Sequence, residues 1–426
     1  MRAEPVLRPA NARLVFADYT RLQRDFPRLG EPWLLRAHPE LHGLSAAQRQ
    51  RRIRGLIDAW LLRSAAVVST AQAAQAAVNT PIATAGGGLT AFRPPLYGRA
   101  LVTSLAEGRR DLPPAEAARW RDEPDGLLDV KGTGVAPGVT PSPQPHSNGL
   151  LALGEALTNI AFREVIELIF RRAGTRFETI PDYALIDLGF DVRGLYGPLT
   201  PAGLQVRQAH RRPLGGAELP LAGSPEQRVK LEIEMLLRHY GLTSCSGATG
   251  FVLEERGGRL EITYAGKPVP PHTPEQIEQI RRFTRYPGGR LCLEGVNVQL
   301  AREVALGPSR ARVVDFGHYS VRERFTEPVL SLVRDRLLRW GGALWPGEPF
   351  YVQPDSRLRL AVEDWGTPRE PGEQRSVPGH AELVWPRPFV LGFELAHGFR
   401  SGTLSGEQVR ARLDELVASV ARSWAG

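Results

Sequence analysis

Lys131 is one of three lysines among 54 basic residues; the others are Lys230 and Lys267, and arginine fills every remaining position. It ends the apolar run Leu127-Leu128-Asp129-Val130-Lys131 and precedes Gly132-Thr133-Gly134. A lysine kept against so strong an arginine bias points to a compact ammonium charge, as in a tight phosphate site where arginine's planar fork does not fit. Far downstream, Arg312-Val313-Val314-Asp315-Phe316-Gly317 reads as a strand ending in Asp-Phe-Gly, the triplet whose aspartate holds magnesium in kinase-like enzymes. Together the two segments read as a nucleotide site, with ATP and Mg²⁺ as the expected cofactors.

A lysine of this kind needs an acid on the following helix. Glu155 lies one turn into the helical pattern after Lys131 and is the first candidate; Glu164 is the reserve. Gly86-Gly87-Gly88 is a candidate to approach phosphates through backbone amides, and Gly132 and Gly134 are further candidate nucleotide-binding residues. Each feature also has a plainer reading: a strand-end lysine at the surface, a glycine linker, a chance triplet. An ordinary protein kinase would carry an aspartate base upstream of Asp-Phe-Gly, but none occurs between Asp191 and Asp315. The corresponding stretch is Leu293-Glu294-Gly295-Val296-Asn297-Val298-Gln299. Asn297 can serve as a second metal ligand beside Asp315, and Glu294 is the one acid there.

The elements expected to position these residues define an α+β chain. Residues 1–84 read as a helical extension, in which Ser45-Ala46-Ala47-Gln48 opens an amphipathic run through Ile53, Ile57 and Trp60. Residues 85–213 read as a β-rich lobe containing the lysine strand, a long helix from Leu150 to Phe170, and strands at Tyr183–Leu188 and Leu204–Val206. Residues 214–426 read as a mainly helical lobe with a Pro/Trp-rich tail. Within it lie a helix at 225–240, a hairpin around Gly257-Gly258, a helix near 274–283, and a last helix capped by Ser405 and Gln408. This order of elements is that of a protein-kinase-like bilobal fold.

Composition narrows the partners. The net charge of +8 raises nucleic acid, but the arginines are spread along amphipathic runs such as Arg49-Gln50-Arg51-Arg52-Ile53-Arg54 and interleaved with polar residues, which fits solvated faces better. Cys245 and Cys292 have no metal-ligand spacing, so a reducing, cytoplasmic setting is expected. No apolar run reaches membrane-span length and the N-terminus lacks a signal-like apolar core.

Several segments resemble the selenoprotein O family of kinase-like protein adenylyltransferases. Pro94-Pro95-Leu96-Tyr97-Gly98-Arg99-Ala100 is similar to that family's Pro-x-Leu-Gly-Asp-Gly-Arg-Ala strand, and Lys131-Gly132-Thr133-Gly134-Val135-Ala136-Pro137 to its lysine motif. Val206-Arg207-Gln208-Ala209-His210-Arg211-Arg212 is similar to its arginine strand, and Asp315-Phe316-Gly317-His318-Tyr319 to its Asp-Tyr-Gly segment. The resemblance spans roughly residues 85 to 320. It implies an inverted nucleotide whose γ-phosphate is gripped by Lys131, Arg207 and one of Arg211 and Arg212, so that AMP is transferred to a protein or peptide hydroxyl. The chain departs from the pattern in its Gly138-Val139-Thr140-Pro141-Ser142-Pro143 segment, in the close spacing of the arginines, and in lacking a C-terminal redox cysteine.

Three functions are therefore weighed: AMP transfer, phosphate transfer to Ser/Thr of a precursor peptide in natural-product biosynthesis, and a pseudokinase subunit serving a partner enzyme.

Overall fold

In the computed structural model of this chain, the described residues are 2–70, 89–93, 98–104, 127–139, 148–193, 199–211, 311–316, 387–422 and 424, with short segments between 229 and 385. Two compact units divide the chain. The first comprises Met1–Leu157, Ile180–His210 and Leu391–Glu415; the second comprises Thr158–Thr179, Arg211–Val390 and Leu416–Gly426.

Strands β1 (Arg2–Leu7), β2 (Arg13–Ala17), β3 (Val68–Ser69), β4 (Leu89–Arg93), β5 (Ala100–Ser104) and β6 (Leu127–Lys131) precede β7 (Glu178–Thr179), β8 (Asp182–Arg193) and β9 (Leu199–Gln208). The helices are α1 (Tyr19–Asp25), α2 (Glu31–Ala37), α3 (Ala46–Ala65), α4 (Leu153–Arg172), α5 (Arg387–Arg400) and α6 (Gly406–Arg422).

All the strands of this set except β7 form one antiparallel sheet in the order β2-β8-β9-β6-β5-β4-β1-β3. Strands β6 and β9 lie at its centre and are buried along nearly their whole length, as strands covered on both faces must be. The sheet curls strongly. In a flat sheet β1 and β2 would lie about 29 Å apart, six steps of ~4.8 Å. The link from Leu7 to Arg13 spans at most about 22 Å when fully extended, and a turn shortens it further, with the Ala12 N–H donating to the Pro9 carbonyl at 3.3 Å. Helix α3 accordingly touches both β2 and β5, which are far apart in strand order, and buries Ile53, Ile57, Trp60 and Leu61.

Helix α3 starts where the sequence places it and is capped there: Ser45 N–H donates to Gln48 Oε1 at 3.1 Å, and Gln48 N–H donates to Ser45 Oγ at 3.4 Å. Ser405 and Gln408 cap α6 in the same way. The start of α6 lies against β2, where Gly406 packs so closely on the Val15 carbonyl that a Cβ would overlap it. Arg400 on α5 donates Nε to Asp187 Oδ2 at 2.9 Å and Nη1 to Asp191 Oδ1 at 2.8 Å.

Two expectations are corrected. Residues 1–80 are not purely helical: β1, β2 and β3 come from this stretch and extend the sheet of the lysine strand on both flanks. Strands of two to six residues offer too few positions for a period-2 pattern to stand out from helical periodicity. The part after residue 214 is not mainly helical among the described residues. It carries the hairpin Phe251–Arg256/Arg259–Tyr264, joined by Gly257-Gly258 as the sequence predicts, and further pairs such as Tyr319–Phe325 with Ala381–Trp385. Partners so distant in sequence leave no local signature. The predicted helix near 274–283 lies outside the described residues.

Candidate functional site

The centre of the first unit carries a row of charge. Lys131 on β6 faces Gln205 on β9, and Asp129 faces Arg207. Side chains two apart on a strand share a face, so these four side chains line one face of the sheet. Arg207 donates Nε at 3.0 Å and Nη2 at 2.6 Å to Asp129 Oδ1. Gln205 Nε2 donates to Asp182 Oδ1 at 2.7 Å on the neighbouring β8. On the other side, β5 sets only Ala100 and Val102 opposite Lys131 and Asp129. Burial is deep: Lys131 is 2 %, Asp129 0 % and Arg207 1 % exposed. Arg207 thus lies on the same sheet face as Lys131, buried, and its guanidinium grips an aspartate that the sequence did not nominate.

The turn after Lys131 brings α4 to this face. Gly132 has φ 101° and Gly134 φ 91°, a region open to glycine but costly for other residues. The Gly132 N–H donates to the Arg99 carbonyl at 2.8 Å and the Gly134 N–H to the Gly149 carbonyl at 2.9 Å. These amides serve the chain itself. A Cβ on Gly132 would fall 2.7 Å from the Gly203 oxygen and from Leu151 Cβ, so the glycine allows the segment before α4 to lie directly on the sheet. The Gly203 N–H donates to the Leu151 carbonyl at 2.8 Å, and four residues later Glu155 stands in the first turn of α4.

Arg99 Nη2 lies 3.4 Å from Glu155 Oε1. One residue therefore ties both ends of the expected lysine–glutamate arrangement: its carbonyl holds the turn after Lys131 and its guanidinium meets Glu155. Arg99 was legible only as part of a motif, with no role attached.

In the second unit, Arg163 on α4 donates to Glu164 at 2.8 Å and to Glu167 at 2.5 Å. Glu164, the reserve partner for Lys131, is thus held by its neighbour. The strand Ala311–Val314 pairs antiparallel with Gln299–Glu303 and parallel with β7, and Arg312 Nε donates to Glu178 at 2.8 Å. At the end of that strand Asp315 takes φ 67°, the only positive φ outside glycine among the described residues, and Phe316 is buried. Aspartate tolerates this left-handed region better than most residues. A rare backbone conformation at a residue singled out for its chemistry motivates a functional hypothesis.

Magnesium sites use one or two carboxylates together with substrate phosphates. Asp315 fits such a role, while no group of three or more His, Cys, Asp or Glu suited to a metal occurs among the described residues. Gly86, Gly87, Gly88, Arg212, Glu294 and Asn297 lie outside the described residues, as does the side chain of Arg211. No helix among the described residues is long and apolar enough to cross a membrane.

No family model, no curated protein and no solved structure matches this chain.

Proposed function

We propose that the chain is a transferase of protein-kinase-like fold that uses ATP and Mg²⁺ to move AMP onto a protein or peptide hydroxyl. The observation that carries this reading is the placement of Lys131 and Arg207 two register pairs apart, as diagonal neighbours on a single sheet face, beside the helix turn that bears Glu155. Two cations so placed suit a phosphate chain: the ammonium as a point charge and the guanidinium as a fork. The run β8-β9-β6-β5-β4 within the eight-stranded sheet, with α4 between β6 and β8 in the chain, supports this reading.

In this reading Lys131 and Arg207 hold the terminal phosphates, and the acceptor oxygen bonds to the α-phosphorus as the bond to pyrophosphate breaks. From the sequence, the carboxylate of Asp315 would hold Mg²⁺, which would supply neutralisation of phosphate charge. Glu294, the acid in the stretch where kinases place their base, takes the hydroxyl proton.

The deep burial of the Asp129–Arg207 pair and the absence of aspartate between Asp191 and Asp315 favour a second reading, a non-catalytic subunit for a partner enzyme. Incubation of the chain and candidate peptides with ATP labelled at the α- or γ-phosphate separates the readings. Retained α-label supports AMP transfer, retained γ-label phosphorylation, and neither label a scaffold.

A further inference from the structure

We propose that Asp129 is a resident counter-ion which a nucleotide phosphate displaces from Arg207, making the Asp129–Arg207 pair a latch on the site. This rests on the nucleotide reading above and concerns how that site is regulated. Asp129 interrupts the apolar run Leu127-Leu128-Asp129-Val130 in a central strand. A fully buried ion pair adds little net stability over apolar side chains of similar volume, because desolvating both charges offsets their attraction. The core therefore gains little from an aspartate at this position.

The contact geometry supports exchange. Both donors of the Arg207 fork converge on one oxygen of Asp129, at 3.0 and 2.6 Å, rather than meeting the two oxygens in parallel. A phosphate offers further oxygens and accepts the fork bidentately. Lys131 occupies the next same-face position along β6, and diagonal neighbours on adjacent strands lie within roughly 7–8 Å, inside the reach of long side chains. A phosphate that draws Arg207 off Asp129 is thereby held between Arg207 and Lys131. While the latch is closed, apparent nucleotide affinity is reduced by the fraction of chains in which Arg207 is engaged.

The test is titration of wild type and Asp129→Asn with Mg·ATP. The expected result is tighter binding in Asp129→Asn, by about tenfold where the latch is closed in about nine chains of ten. Its melting temperature should fall without nucleotide and be restored more strongly by ATP than that of wild type. If wild type binds ATP and Asp129→Asn binds equally or more weakly, Asp129 only positions Arg207 and the latch is overturned. If wild type binds no ATP, the nucleotide reading falls and takes the latch with it. Because loss of a buried counter-ion threatens folding, a second measurement uses wild type alone. With ¹⁵N-arginine labelling, the Arg207 Nε–H resonance, assigned through Arg207→Lys, should move at saturating ATP. An unmoved resonance in the bound state overturns the proposal.

Discussion

Arg93 in β4 closes on Glu4 in β1 through two hydrogen bonds, Nε to Oε2 at 2.8 Å and Nη2 to Oε1 at 2.7 Å, with both side chains buried. The pair lies on the same sheet face as Val6, Ala91 and Leu101, which form an apolar cluster with Val67. It fastens the first strand of the chain to β4, its neighbour toward one end of the sheet.

Removing one partner of such a pair leaves the other buried and uncompensated. Glu4→Ala should therefore lower stability by about 3–5 kcal/mol, and Glu4→Gln, which retains an acceptor, by less. Urea unfolding followed by tryptophan fluorescence measures both. A loss below about 1 kcal/mol in Glu4→Ala, the range of an exposed pair, would show that β1 is not held this way.

Gly132→Ala places a methyl 2.7 Å from the Gly203 oxygen and Leu151 Cβ, at φ 101°. Backbone strain and overpacking together should cost roughly 2–4 kcal/mol. The segment before α4 must lift from the sheet, so hydrogen exchange should quicken at Gly203, whose N–H bonds Leu151. Unchanged protection at that amide would contradict the assigned role of Gly132.

Asp315 separates charge from backbone. Asparagine also tolerates the left-handed region, whereas alanine there costs about 1 kcal/mol. Asp315→Asn should unfold close to wild type and Asp315→Ala about 1 kcal/mol earlier. If the chain is a transferase, both substitutions, and Lys131→Ala, should abolish label transfer from ATP. Full transfer by Asp315→Asn would remove the residue from the metal site.

His397 on α5 is half-buried, and burial lowers its pKa below the ordinary 6.5; Asp191 opposes this shift and Arg400 adds to it. The folded chain thus prefers the neutral ring. Its contribution to stability is complete above pH ~6.5 and is lost as pH falls through the lower folded value. His397→Gln should flatten the decline in melting temperature across that interval. An identical slope in the variant would show that another group sets it.

Much of the local organisation was legible in the sequence. The helix start at Ser45–Gln48, the Ser405–Gln408 cap and the hairpin at Gly257-Gly258 depend on neighbours within a few residues and form as read, and the long helix read from Leu150 to Phe170 runs from Leu153 to Arg172. Lys131 at a strand end and Glu155 in the first turn of the next helix follow from the same short-range patterns.

What the sequence did not disclose depends on pairing across long separations. Strands β1 and β2 lie five residues apart in the chain yet sit toward opposite ends of the sheet order, a result of curling that no local window encodes. Asp129 looked like one polar residue in an apolar run; register with β9 made it the partner of Arg207, 78 positions away. Gly132 and Gly134 stood as nucleotide-binding candidates; in the fold the Arg99 carbonyl and the returning chain at Gly149 take their amides. The sequence by itself determined which residues bear charge and where helices begin, because propensity and capping act over a few residues. Only the tertiary structure decided which charges meet, because antiparallel register brings distant side chains onto one buried face, where each must find a partner.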